Sequence, residues 1–238
     1  MLYGFEVARF SVVRMSLVKQ SLEFDQAHLD SVLTSAEHVF LENGIVDDFV
    51  PQVAEHSDVP ADTILSLYSQ PLDLPVAMLN REFTRMYQGI LANIERDPRG
   101  GLLSRMYTYV FTEVYERPVA RTLYMIDRTA LHSLMVHQHA KNYVPSGEIQ
   151  VDLVQSLQEA GMVRSTVEPE LVSSAITVMS GGLALTAPHE NLGEIVESLM
   201  SMLGFAFDAE VEDTTPGKKA FYSWATSLDT AVRAPVSL

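Results

Sequence analysis

Apolar side chains recur along this chain at helical spacing. From Leu29 they run through Val32, Leu33, Ala36, Val39 and Phe40, in steps of 3, 1, 3, 3 and 1. That is one face of a helix, not the alternation of a strand, and Asn43-Gly44 supplies a stop. Asp48 suits the N-cap of a short helix that carries Val50, Val53 and Ala54 inward. Pro60 opens a third, with Ile64, Leu65 and Tyr68. A missing N–H is harmless at a first helical position, where it has no partner. A longer helix is expected over 72–94, with Met78, Phe83, Met86, Tyr87, Ile90 and Ile94 near one face, before Asp97-Pro98-Arg99-Gly100-Gly101 breaks it. Further helices are expected over 101–115, 118–139, 146–161, 169–186, 191–207 and 217–232, punctuated by proline and glycine. No stretch alternates with period two between hairpin turns. The expectation is an all-α fold of nine or ten helices.

With 47% apolar residues in 238, the chain can bury a substantial core. No run of about 18 apolar residues offers a membrane span. The absence of cysteine excludes disulfides and thiolate metal sites. No Gly-x-Ser-x-Gly, His-Glu-x-x-His, P-loop or dinucleotide fingerprint occurs. The paired carboxylates Asp47-Asp48 and Glu212-Asp213 fall in expected loops or caps, so no enzyme and no cofactor is expected. Residues 1–19 hold Arg9, Arg14 and Lys19 against Glu6, and Arg14 interrupts their one apolar run. That run is too short for a signal-peptide core. Residues 1–21 therefore read as an N-terminal arm of a cytoplasmic protein, or as a basic arm reaching a DNA backbone. His132, His137 and His139 share an expected helix with Asp127, but positions 137 and 139 diverge by about 200°. His28, His38, His56 and His189 are dispersed, and no metal site is expected.

Three short helices, a long one and then a helical bundle resemble the tetracycline-repressor (TetR) family of regulators. Its N-terminal signature has Ala and Phe on the first helix, a closing Gly, then Val-x-x-Ile-Ala, a turn, and Val-Ser-x-Gly-Thr-Leu-Tyr-x-x-Phe. Here stand Ala36, Phe40 and Gly44, then Val50, Val53 and Ala54, then Val59-Pro60-Ala61-Asp62-Thr63-Ile64-Leu65 and Tyr68, without a gap. Later, Gln158-Glu159-Ala160-Gly161-Met162-Val163-Arg164 and Ser180-Gly181-Gly182-Leu183-Ala184-Leu185 are similar to phrases of the family's regulatory domain. The resemblance spans about residues 22–208. It implies a helix-turn-helix domain over 22–71 and a ligand-binding and dimerisation domain over 72–238.

The departures fall where the resemblance implies DNA contacts. Ala61 stands for a basic residue before the recognition helix, and Asp62 for the glycine that approaches the backbone. Leu65 and Leu67 stand for phosphate-touching tyrosines, Pro71 for a lysine, and Asp58 for the turn glycine. Charge makes the same point independently. Of a net charge of −15, residues 20–80 carry −11 and contain no Lys or Arg, although uniform scatter of 16 would place about four there. Phosphate contacts supply most non-specific DNA affinity, and a major-groove helix needs donors. Three functions are open. One is a ligand-responsive homodimer whose helix-turn-helix has lost ordinary DNA binding and acts through a protein partner. Another is an atypical repressor, released by a small apolar or amphipathic ligand, that reads DNA through backbone amides, Thr63, Ser66 and the basic arm. A third is an acidic mimic of DNA.

The resemblance also implies a small-molecule pocket. Six of the nine tyrosines fall between residues 83 and 143, with several methionines, a composition suited to an adaptable cavity. Met86, Tyr87, Ile90, Met106, Phe111 and Tyr124 are the expected lining. Relatives dimerise through two C-terminal helices, which implies a four-helix bundle across a two-fold axis. Leu171, Ala175, Met179, Ile195, Leu199 and Leu203 are expected at that interface. Phe221, Trp224, Ala225 and Leu228 form a terminal amphipathic stripe, expected to cap the bundle or to dock a partner.

Overall fold

A computed structural model describes residues 26–68, 70, 72–123, 151–187 and 189–233. Ten helices are found among them: α1 (Gln26–Asn43), α2 (Phe49–Ser57), α3 (Ala61–Leu67), α4 (Asp73–Arg96), α5 (Leu103–Glu116), α6 (Pro118–Arg121), α7 (Val151–Glu159), α8 (Pro169–Leu185), α9 (Leu192–Phe207) and α10 (Thr215–Arg233). No strand occurs among the described residues; Val163 and Asp208 form an isolated antiparallel bridge. None of the described helices is long and apolar enough to cross a membrane. The all-α expectation is met.

Local chemistry accounts for the element ends. Gly44, at φ 70°, takes the left-handed position after α1 and donates its N–H to the Phe40 carbonyl at 2.9 Å. Asp58 does the same work after α2 at φ 57°, a conformation that Asp tolerates better than most side-chain-bearing residues. Between α4 and α5 two backbones meet closely. A Cβ on Gly101 would stand 1.8 Å from the Thr214 carbonyl oxygen, so only glycine fits there.

Two hydrophobic clusters organise the helices. The N-terminal one joins Val32, Ala36, Val39 and Phe40 of α1 to Phe49, Val50 and Val53 of α2 and Ile64 of α3. It extends into Leu74, Met78 and Leu79 of α4 and Val119 beside them, so it continues past the expected domain edge at residue 71. The larger cluster joins Ile90 and Ile94, farther along α4, to Met106 and Phe111 of α5, Leu153 and Leu157 of α7, Val172 and Ile176 of α8, and Met200 and Leu203 of α9. Phe221 and Ala225 bring α10 onto the same core. Helix α4 thus couples the two clusters as one continuous rod.

Candidate functional site

Only Ile64 of α3 is buried. Ala61 and Thr63 are half-buried, and Asp62, Leu65, Ser66 and Leu67 face outward. The two leucines are 46% and 43% exposed. Ser66 donates its hydroxyl proton to the Thr63 carbonyl at 2.6 Å, so that donor is spent within the helix. Pro71 lies outside the described residues. The outward face of α3 therefore offers a carboxylate and two apolar side chains.

The first cations after this window are engaged with α1. Arg81 Nη2 lies 2.7 Å from Glu37 Oε1 and its Nη1 donates to the Asp30 carbonyl at 3.0 Å, which clamps α4 to α1. Arg85 reaches the same Glu37 oxygen at 3.2 Å. Arg81 is only 11% exposed, so its charge serves the helix pair before it reaches solvent.

The residues expected to line a ligand pocket occupy the main core. Met106 is fully buried, Ile90 and Phe111 nearly so, and Met86 and Tyr87 pack against them; Tyr124 lies outside the described residues. A cleft of about 810 Å³ opens instead between α5 and α9. Its α5 wall carries Ser104, Thr108, Thr112 and Tyr115 with the charged Arg105 and Glu116, and its α9 wall includes Val196, Met200 and Phe205. The signal was present in the sequence: 104, 108, 112 and 115 are hydroxyl-bearing positions on one helical stripe. The Tyr115 hydroxyl is buried without a hydrogen-bond partner among the described residues, and burial pushes its pKa up to about 12.

Charged groups brace both ends of α5. The Asp208 carboxylate accepts from Ser104 N at 3.3 Å and Ser104 Oγ at 2.5 Å, capping the helix start from the end of α9. Burial raises the Asp208 pKa, and the Ser104 donors pull against that rise. Near the other end, Arg117 Nε donates to Glu113 at 2.8 Å. A Cβ on Gly89 would stand 2.2 Å from the same Glu113 carboxylate, so a glycine on α4 makes room for it.

Helices α8 and α9 are apolar on two sides. Val172, Ile176, Leu183, Val196, Met200 and Leu203 face the core. On the opposite side Leu171, Val178 and Leu185 of α8 are 61%, 72% and 86% exposed, and Met202 and Phe205 of α9 are 68% and 84% exposed. Of the expected interface residues, Leu171 is on this outer side, while Ala175, Met179, Ile195 and Leu199 are half-buried. Leu203 is a correction: at 2% exposure it is consumed by the chain's own core and offers nothing to a second copy. The expected histidine helix with Asp127, His132, His137 and His139 lies outside the described residues.

No protein-family model matches the sequence, and no curated protein does. Solved structures do. One, concerned with the control of antibiotic production by a bacterial hormone, matches at TM-score 0.55 and 16% identity over 78% of this chain and 100% of its own. A protein of Streptomyces coelicolor described as a transcriptional regulator matches at TM-score 0.53 and 16% identity, over 76% of this chain and 98% of its own. A third, from Shewanella and described as a TetR family transcription regulator, stands at TM-score 0.48 and 12% identity, over 77% and 99%. The chain has a TetR-like fold.

Proposed function

We propose that this chain is a homodimeric regulatory protein of TetR-like fold whose helix-turn-helix engages a protein surface in place of an operator. The carrying observation is the outward face of α3, where Asp62, Leu65, Ser66 and Leu67 stand in a window of 61 residues without Lys or Arg. DNA affinity scales with the phosphates neutralised by cations, and this surface repels them. Exposed leucines flanked by Asp58 and Asp62 fit an apolar patch rimmed by basic residues on a partner. The regulatory reading is supported by the two similar structures, one described as a transcriptional regulator and one concerned with a hormone's control of antibiotic production. The cleft between α5 and α9, with four hydroxyl-bearing residues along one stripe of α5 and methionine opposite, suits an amphipathic small molecule. The test is a mobility-shift titration against DNA flanking the protein's own gene at low salt. Weak, sequence-independent retardation is expected; tight, sequence-dependent binding would overturn the reading.

A further inference from the structure

Two imidazoles and a carboxylate converge across α1 and α2, on residues that the sequence scatters. His38 and Glu42 sit one turn apart on α1, with His38 Nε2 at 3.3 Å from Glu42 Oε1. His56, in the last turn of α2, brings its ring to 5.1 Å from that of His38, tilted by 59°. One ligand atom from each of the three lies within 4.8 Å of the other two. The arrangement follows from packing: Val39 and Phe40 of α1 are buried against Val50 and Val53 of α2, which sets the polar sides of the two helices next to each other.

Three features give this cluster the character of a metal site and not merely of an ion pair. His56 Nδ1 lies 2.9 Å from the Gln52 carbonyl oxygen. A carbonyl only accepts, so Nδ1 is the donor, and in the neutral ring this leaves the lone pair on Nε2. That outer hydrogen bond is the one metal-binding histidines nearly always make. Second, ligands about 2.0–2.1 Å from a shared tetrahedral ion lie roughly 3.3–3.4 Å apart, which is the His38–Glu42 separation. All three side chains are exposed, so rotamer travel is free to close the wider gap to His56. Third, the site stands in a stretch of charge −11 that holds no Lys or Arg of its own, and Arg81 and Arg85 of α4 are engaged with Glu37.

We propose that His38, Glu42 and His56 bind a divalent metal ion, Zn²⁺ or one of similar preference for imidazole and carboxylate, and so staple α1 to α2. The fourth position is open to water. The ion reduces the negative charge of the helix-turn-helix unit and links two of its helices, which makes metal availability an input to the face that α3 presents. The inference is independent of whether that face meets protein or DNA.

The full chain, stripped with EDTA and dialysed, is titrated with ZnCl₂ in a calorimeter and then melted with and without the ion. One equivalent is expected to bind, with a rise in Tm that EDTA reverses. His38→Ala and His56→Ala are each expected to weaken binding by about tenfold or more, Glu42→Gln by less, and His189→Ala not at all. The three positions are exposed, so the variants keep the fold, and their circular dichroism without metal should match the parent. Absence of saturable binding, or binding that His38→Ala and His56→Ala leave unchanged, would overturn the site.

Discussion

Asp97 shows how one side chain secures the junction between α4 and α5. Its Oδ2 accepts from Tyr109 Oη and from Arg105 Nε, both at 2.6 Å, and its Oδ1 accepts from Arg99 N at 2.8 Å. Arg105 also lies over the Tyr109 ring, 5.4 Å from its centroid. Burial pushes the Asp97 carboxyl upward, but the Tyr109, Arg105 and Arg99 donors outweigh it and leave the pKa below the ordinary carboxylate value. The sign of the pH dependence follows. A depressed folded pKa adds stability that is fully present above the unfolded value and is lost as pH falls through the folded one. Asp97→Asn should therefore destabilise the protein by about 1–3 kcal/mol at pH 7. The deficit should shrink toward zero as acid protonates the parent. Urea titrations of both forms at pH 7 and near pH 3 check this, and a deficit that persists unchanged in acid would contradict it.

At the scale of elements, α3 follows its sequence in part. Its start beside Pro60, its buried Ile64 and the outward Asp62 agree with the pattern. Pro60 is the N-cap, however, and not the first helical residue. Leu65, expected to pack with Ile64 and Tyr68, is exposed, because a seven-residue helix buries only one narrow side. The long helices were legible because the steps from Leu29 to Phe40 admit only a period near 3.6. Helices α8 and α9 were harder. Each carries apolar residues on more than one side, so the pattern alone does not tell which side turns inward, and Leu203, expected at the interface, turns into the core. The hydroxyl stripe of α5 is a local pattern, but its pairing with α9, about 80 positions away, depends on packing that no local pattern encodes. The convergence of His38 and His56 has the same origin. Charge on α3 makes a sharp prediction. Replacing Asp62 with Lys and Leu65 with Arg, both exposed, adds two cations to the outward face without touching Ile64. Non-specific DNA affinity should rise, and the slope of log K against log salt should steepen by about 0.9 for each new phosphate contact. Fluorescence anisotropy on a random duplex between 50 and 200 mM salt measures it. An unchanged slope would mean that α3 does not face the phosphates at all.

The whole molecule joins a strongly acidic net charge to a broad apolar surface. A charge of −15 favours solubility and opposes self-association. Yet Leu171, Val178 and Leu185 of α8 and Met202 and Phe205 of α9 leave large apolar side chains exposed, a composition that marks interfaces where such side chains gather. Positions 171, 175, 178, 182 and 185 are spaced 4, 3, 4 and 3 apart, with Ala175 and Gly182 set between larger residues. That alternation gives a seam into which a second copy can interdigitate across a two-fold axis. A dimer held this way is driven by apolar burial and opposed by the repulsion of two acidic copies. Salt should tighten it slightly, the reverse of its effect on a DNA complex. Sedimentation equilibrium at 50 and 500 mM NaCl should show a dimer at micromolar concentration in both, no weaker at the higher. Val178→Asp and Leu185→Asp each place an unpaired carboxylate in the seam, which costs several kcal/mol when desolvated and should weaken association by about a hundredfold or more. Both positions are largely exposed in the single chain, so the variants should keep the helical spectrum of the parent while sedimenting as monomers. Dimers that survive both substitutions would place the subunit contact on some other face.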